Sequence, residues 1–234
     1  MAEWLSYTPS DFLLFSARTY YRLFELYNRA IWPLPIPALV LGLAILLLLH
    51  RGGTRQGVIV SAILSAGWLW TAWGYLLGYY DTINWAARYF AIGFVIEGLL
   101  LLWTGAVRGR LWFQPDRDWT SRGGVALFLF ALLGQPLIGP LVGRDWSQAE
   151  VIGVTPDPTA VATLGILLTT GKRLPWGLMI IPLLWCALSG ATLWTMGTPD
   201  AWLLPAAALG ALGLAACRKL FRARARSAAI SRPE

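Results

Sequence analysis

Residues 86–107 read AARYFAIGFVIEGLLLLWTGAV, roughly the 20 apolar residues a helix needs to cross the hydrocarbon core of a bilayer. Near the middle of that stretch stands an acid, Glu97. A charged side chain at such depth costs about 2.5–3.5 kcal/mol on insertion scales, so this carboxyl is expected to face protein or water and not lipid. The stretch therefore demands a membrane protein with further segments to shelter Glu97.

The rest of the composition fits that demand. The chain is 57% apolar and 13% charged, where a soluble domain carries about a quarter of its residues charged. Cys186 and Cys217 both lie in apolar stretches, which leaves no disulfide framework and no CxxC metal or redox motif. They read as small packing residues. The net charge of +7 does not point to nucleic acid, because the basic residues flank hydrophobic stretches one or two at a time, as membrane orientation requires. Glu3 and Asp11 stand where a signal peptide would have a basic segment and a clean apolar core, so the first span is expected to act as the insertion signal.

Hydrophobic stretches at 32–50, 58–80, 86–107, 123–142, 157–171, 175–196 and 199–217 predict about seven transmembrane helices, a bundle over residues 32–217. The fifth is short, about 22 Å at about 1.5 Å per residue, against a core of about 30 Å. In the fourth, Gly134-Gln135-Pro136 and Gly139-Pro140 predict breaks. Residues 1–31 precede the bundle. Thr8, Pro9 and Asp11 read as a capping box, with Tyr7 and Phe12 as a hydrophobic staple. Leu13, Ala17, Tyr20, Phe24, Tyr27 and Ile31 then recur at spacings of three and four beside Arg18, Arg22, Glu25 and Arg29. That pattern predicts an amphipathic helix lying in the membrane interface, with Glu25 paired to a neighbouring arginine. Residues 218–234 read as a basic, disordered cytoplasmic tail that touches anionic lipid headgroups. The expected fold class is an all-α membrane protein with about seven spans and an N-terminal interfacial helix.

Charge sets the orientation. With the N-terminus outside, 14 of the 19 basic residues fall on the cytoplasmic side, as the positive-inside rule requires, and the C-terminus is cytoplasmic. Of the 14 tryptophans, Trp4, Trp32, Trp112, Trp119, Trp146 and Trp202 sit near predicted interfaces. Trp68, Trp70, Trp73, Trp103, Trp185 and Trp194 lie within spans, and Gly74 and Gly78 form a GxxxG pattern that invites a close helix approach.

Counted from the cytoplasmic ends, Glu97, Gln135, Thr71 and Asp157 lie at about 15–21 Å, in one slab. They are the expected substrate or ion site, together with Thr159. Arg88 points to the opposite face, about 13 Å further out than Glu97, and counts with Asp81 as an outer-side charge. The stretch Val151-Ile152-Gly153-Val154-Thr155-Pro156-Asp157-Pro158-Thr159 runs from apolar residues into a proline-locked turn, after which Asp157 caps a short helix. Two readings stand: a cap at the outer interface, or an interrupted helix at membrane depth of the kind that forms transporter sites.

Four segments carry a resemblance. Tyr27-Asn28-Arg29-Ala30-Ile31-Trp32-Pro33, Glu97-Gly98-Leu99-Leu100, Gly153-Val154-Thr155-Pro156-Asp157-Pro158-Thr159 and Ile181-Pro182-Leu183-Leu184-Trp185, in this order, resemble a family of uncharacterised bacterial integral membrane proteins whose members are often labelled permeases. Relatives often place cysteine between the two prolines where this chain has Asp157, so a soft-metal site gives way to a hard carboxylate. The resemblance implies an inner-membrane location and transport.

Enzyme chemistry is not expected: HExxH, GxSxG and P-loop motifs are absent, and the single histidine, His50, follows the first span as a helix C-terminal charge. The sequence calls for no catalytic residue, metal or cofactor. The leading expectation is a small permease-like protein of the bacterial inner membrane moving a cation, proton or small solute past Glu97, its partners being the lipid bilayer and that solute. The competing one is a structural or accessory protein whose amphipathic N-terminus docks a membrane protein partner. Neither involves nucleic acid.

Overall fold

The computed structural model describes residues 15–113, 118–171 and 174–230, with side chains through Phe221. Among them the architecture is helical: α1 (Ala17–Ala30), α2 (Pro35–Arg51), α3 (Thr54–Trp70), α4 (Ala87–Leu101), α5 (Trp119–Leu129), α6 (Gln135–Leu141), α7 (Pro156–Leu168), α8 (Trp176–Thr195) and α9 (Leu203–Ile230). The centre of the bundle is α7. All 13 of its residues are buried, and it is apolar all round, which suits only a helix wrapped by others. Helices α3, α5, α8 and α9 pack around it. Contact with α5 is close: a Cβ on Gly124 would stand 2.5 Å from the Gly165 carbonyl oxygen, and one on Gly165 would stand 2.6 Å from that of Gly124. The predicted approach at Gly74 and Gly78 is a different contact, in which Gly74 makes room for the Tyr27 hydroxyl.

Five helical stretches are long and apolar enough to cross a membrane: Thr54–Thr82, Ala87–Val107, Trp119–Leu141, Trp176–Thr195 and Leu203–Phe221. The other two hydrophobic segments are α2, with 17 residues, and α7, whose 13 residues reach only about 20 Å. Three of the five long stretches switch to π-helical winding, at Thr71–Leu77, Leu102–Val107 and Phe130–Gly134. The predicted break at Gly134-Gln135-Pro136 is such a π-to-α switch, with proline in the first turn of α6, where its missing N–H does least harm. In the C-terminal region α9 continues helical to Ile230, through most of the tail expected to be disordered; its Ala, Leu and Arg residues are good helix formers.

The chain runs back and forth between two ends. At one, Gly53 and Thr170 each bridge to Phe113, and Arg218 donates to the carbonyls of Leu168, Thr170 and Gly171. That places a buried cation at the C-terminus of α7, where the helix dipole favours it. At the other end, Asn28 Nδ2 donates to the carbonyls of Ser147 (2.8 Å) and Ala149 (2.9 Å), and Tyr27 Oη donates to that of Val154 (3.0 Å).

Helix α1 lies across this second end, bent 91° from α2. It starts at Ser16, whose hydroxyl accepts from the Thr19 amide; the capping box expected at residues 7–12 lies outside the described residues. Tyr20, Tyr21, Leu23, Phe24 and Tyr27 are buried. Phe24 stacks on Tyr75 at 4.8 Å, Tyr27 meets Tyr79 edge-on at 5.2 Å, and Tyr20 meets Tyr80 at 5.9 Å. The aromatic face that reads as lipid-binding is thus spent on the protein. Arg22 and Arg29 point outward and pair with Glu25 at 2.6 and 2.7 Å.

Candidate functional site

Residues 151–155 carry irregular backbone into the bundle. Val151, Ile152, Val154 and Thr155 are buried, so their polar groups must be satisfied locally. They are: the amides of Val154 (3.1 Å) and Thr155 (2.9 Å) both donate to the Val151 carbonyl, the Val151 amide donates to Thr155 Oγ1 at 2.9 Å, and the Gly153 amide donates to Thr159 Oγ1 at 2.7 Å. Gly153 takes φ +73° and its Cα faces Gly67 of α3, where a Cβ would stand 2.8 Å away. Gly67 lies thirteen residues beyond Thr54, about 20 Å from the Arg218 end of that helix.

Asp157, in the first turn of α7, is 2% exposed. Its Oδ1 accepts from Trp185 Nε1 at 2.7 Å and its Oδ2 from Ser189 Oγ at 3.0 Å. Trp185 and Ser189 sit at the middle of the 20-residue α8. Helix α7 therefore begins alongside the inner part of α8 and not at its end.

Above Asp157 lies a charged cluster drawn from two connecting segments, α6–α7 and α8–α9. Glu150, Asp200 and Arg144 stand within electrostatic reach of Asp157 and of one another. Arg144 Nη2 pairs with Asp200 Oδ2 at 2.6 Å, its guanidinium lies 3.9 Å over the Tyr21 ring, and Tyr21 Oη donates to Asp200 Oδ1 at 3.4 Å. Three groups here have no hydrogen-bond partner: Glu150 Oε2, the Tyr75 hydroxyl, and Nε and Nη1 of Arg144. Beside Trp185 and Ser189, a cavity of about 10 Å³ opens toward Tyr20 and Tyr80.

Burial first, and then the Asp157 carboxylate, push Glu150 well above the ordinary glutamate value of 4.5, against the pull of Arg144. The folded protein then binds the proton more tightly than the unfolded chain does, so this group's contribution is full below pH 4.5 and is lost as pH rises toward the folded value. Glu150→Gln removes that loss. Melting curves of the two proteins in detergent are expected to converge near pH 4.5 and to separate by pH 8, with the variant the more stable; an offset constant with pH would refute this.

Glu97 lies deeper. It is 0% exposed, and neither oxygen has a hydrogen-bond partner. It stands three residues, about one turn, beyond Phe94, which packs on Trp185 at 5.0 Å and on Trp68 at 4.3 Å. Trp68 Nε1 donates to Thr163 Oγ1 of α7 at 2.8 Å. Three rings, Trp68, Phe94 and Trp185, thus pack in series, and Trp185 joins them to Asp157. Of the six tryptophans within predicted spans, Trp68 and Trp185 are the buried ones, and both indole N–H groups go to α7. Trp73 and Trp194 are 76% and 75% exposed, facing outward from the bundle.

The five residues expected to form one site are all buried, yet none is hydrogen-bonded to another. Thr71 Oγ1 donates to the Gly67 carbonyl of its own helix at 2.8 Å, and Thr159 Oγ1 to that of Thr155 at 2.6 Å. Gln135 Oε1 has no partner. Two of them border π-helical turns: Thr71 opens the first and Gln135 follows the third. Arg88 pairs with Asp81 at 2.9 Å on the surface. Arg144, Glu150, Asp200, Tyr21 and Tyr75 are the residues that sequence reasoning missed. The signal for them was an acid, Glu150, directly before a four-residue apolar run.

No curated protein and no solved structure matches the chain. A family model matches residues 17–227, nearly all of the described length, and the chain belongs to that family, the Family of unknown function (DUF6064).

Proposed function

We propose that the chain is a permease-like protein of the bacterial inner membrane that moves a proton, cation or small solute down its gradient, without catalysing a chemical reaction. The observation that carries this reading is the interrupted segment: 151–155 brings backbone halfway into the bundle, and α7 starts there with an acid in its first turn. Irregular backbone survives at such depth only where protein or water surrounds it, and helices broken in this way form the sites of many transporters. In this reading the chain crosses seven times, with α2 as the first crossing and residues 151–168 as the short fifth. The N-terminus and α1 lie outside, and the Arg218 end is cytoplasmic. Asp157 is the outer station and Glu97 the inner one. An accessory role built on α1 docking a partner fits less well, because the aromatic face of α1 is already buried in its own chain.

The test is gradient dissipation by the purified protein in liposomes, read for protons and for monovalent cations. The wild type is expected to collapse an imposed gradient and Glu97→Ala to lose that activity. Unchanged flux in Glu97→Ala would remove Glu97 from the route.

A further inference from the structure

We infer that the particle this site accepts is a proton, taken up by Asp157 through a single water held beside Tyr20, Tyr80 and Ser189. The inference rests on the transport reading above and names its substrate.

Size is the first constraint. The cavity lined by Trp185 and Ser189, the two residues that hydrogen-bond Asp157, measures about 10 Å³, room for about one water. A hydrated cation does not enter, and a bare Mg²⁺ or Ca²⁺ asks for about six or more oxygen ligands. Asp157 brings only two, and each already accepts one hydrogen bond, from the Trp185 N–H and from the Ser189 O–H. Among the described residues no group of three His, Cys, Asp or Glu side chains is placed to hold a metal ion. A proton needs only one lone pair.

The hydrogen bonds also choose the oxygen. An indole N–H donates and never accepts, whereas a hydroxyl does either. Oδ1 therefore stays locked to Trp185. At Oδ2 the Ser189 hydroxyl donates to the carboxylate, and after protonation it turns to accept the new O–H, with no heavy atom displaced. In the loading step a hydronium ion in the cavity gives one proton to Ser189 Oγ while the hydroxyl's own proton passes to Asp157 Oδ2, leaving a neutral water, a neutral serine and a neutral carboxyl; release is the reverse. The Tyr75 hydroxyl, 1% exposed and without a hydrogen-bond partner, interacts electrostatically with both Glu150 and Asp157. It is an uncommitted donor at the site. The ionisable groups within electrostatic reach of Asp157 are Glu150, Arg144 and Asp200 from the connecting segments, Tyr20 from α1, Tyr75 and Tyr80 beyond α3, and Cys186 from α8. They set the pH at which loading occurs.

The experiment uses the full chain in liposomes that hold a pH-sensitive dye, with a potassium diffusion potential as the driving force and a parallel assay of sodium and potassium flux. Wild type is expected to change the internal pH, Asp157→Asn to abolish the change, and Ser189→Ala to slow it about tenfold, the worth of one hydrogen bond to a charged group. Ser189→Thr, which keeps the hydroxyl, should restore the rate. If Asp157→Asn does not fold, the Ser189 pair decides the matter. Sodium or potassium flux with no change in internal pH overturns the proton assignment while leaving transport standing. Equal proton flux in Ser189→Ala and wild type overturns the Oδ2 route. A wild type that dissipates no gradient at all overturns both readings.

Discussion

Arg144→Ala is expected to destabilise the protein by about 3–5 kcal/mol, the range for removing one partner of a buried ion pair. The side chains of Arg144 and Asp200 are 12% and 9% exposed, so the orphaned carboxylate gains little from solvent. The Tyr21 ring loses its cation as well, and the two ends of the contact come from the segments before α7 and before α9, 56 residues apart. That pair, with Tyr21, clamps α1 and two connecting segments together over Asp157. Replacing both partners, as Arg144→Leu with Asp200→Leu, should recover most of the loss, because a buried pair exchanged for apolar groups is close to neutral. Thermal unfolding of the single and double variants in detergent measures this. A single variant within about 0.5 kcal/mol of wild type, the scale of an ordinary surface substitution, would show that the clamp bears no load.

Glu97→Leu should move stability the other way. A buried carboxyl with no hydrogen-bond partner forgoes about 1–3 kcal/mol of desolvation that nothing repays, and Leu matches the apolar surroundings of α4. The variant is expected to be more stable by about that amount and inactive in gradient dissipation. The two results together separate function from architecture: a residue kept at a cost to stability is one that activity requires. A loss of stability on the same substitution would mean that Glu97 holds the helices together.

Local rules predicted much of this. The apolar stretches around Glu97 and along α5–α6, α8 and α9 mark helices that meet the length of a bilayer, since apolar length is a one-dimensional property. The amphipathic face of α1 and the pairing of Glu25 with Arg22 and Arg29 follow from helical spacing alone. So does the turn at 151–159, where Pro156 and Pro158 set the start of α7. The candidate site was less legible. Depth counted along separate helices placed Gln135 and Thr71 level with Glu97, but depth is one coordinate of three, and in the bundle they bond to their own helices or to nothing.

The sequence by itself determined that this is a helical protein built from membrane-length segments, with one acid at the centre of a span and another in a proline-locked turn, because hydrophobic length and backbone restriction act within a few residues. Only the tertiary structure decided that α1 turns its aromatic face inward, that α7 is sheathed on every side, and that Arg144, Glu150 and Asp200 gather over Asp157. Those outcomes depend on which buried group finds which partner across separations from 56 residues for Arg144 and Asp200 to 179 for Tyr21 and Asp200, and that choice is made only when the whole bundle packs.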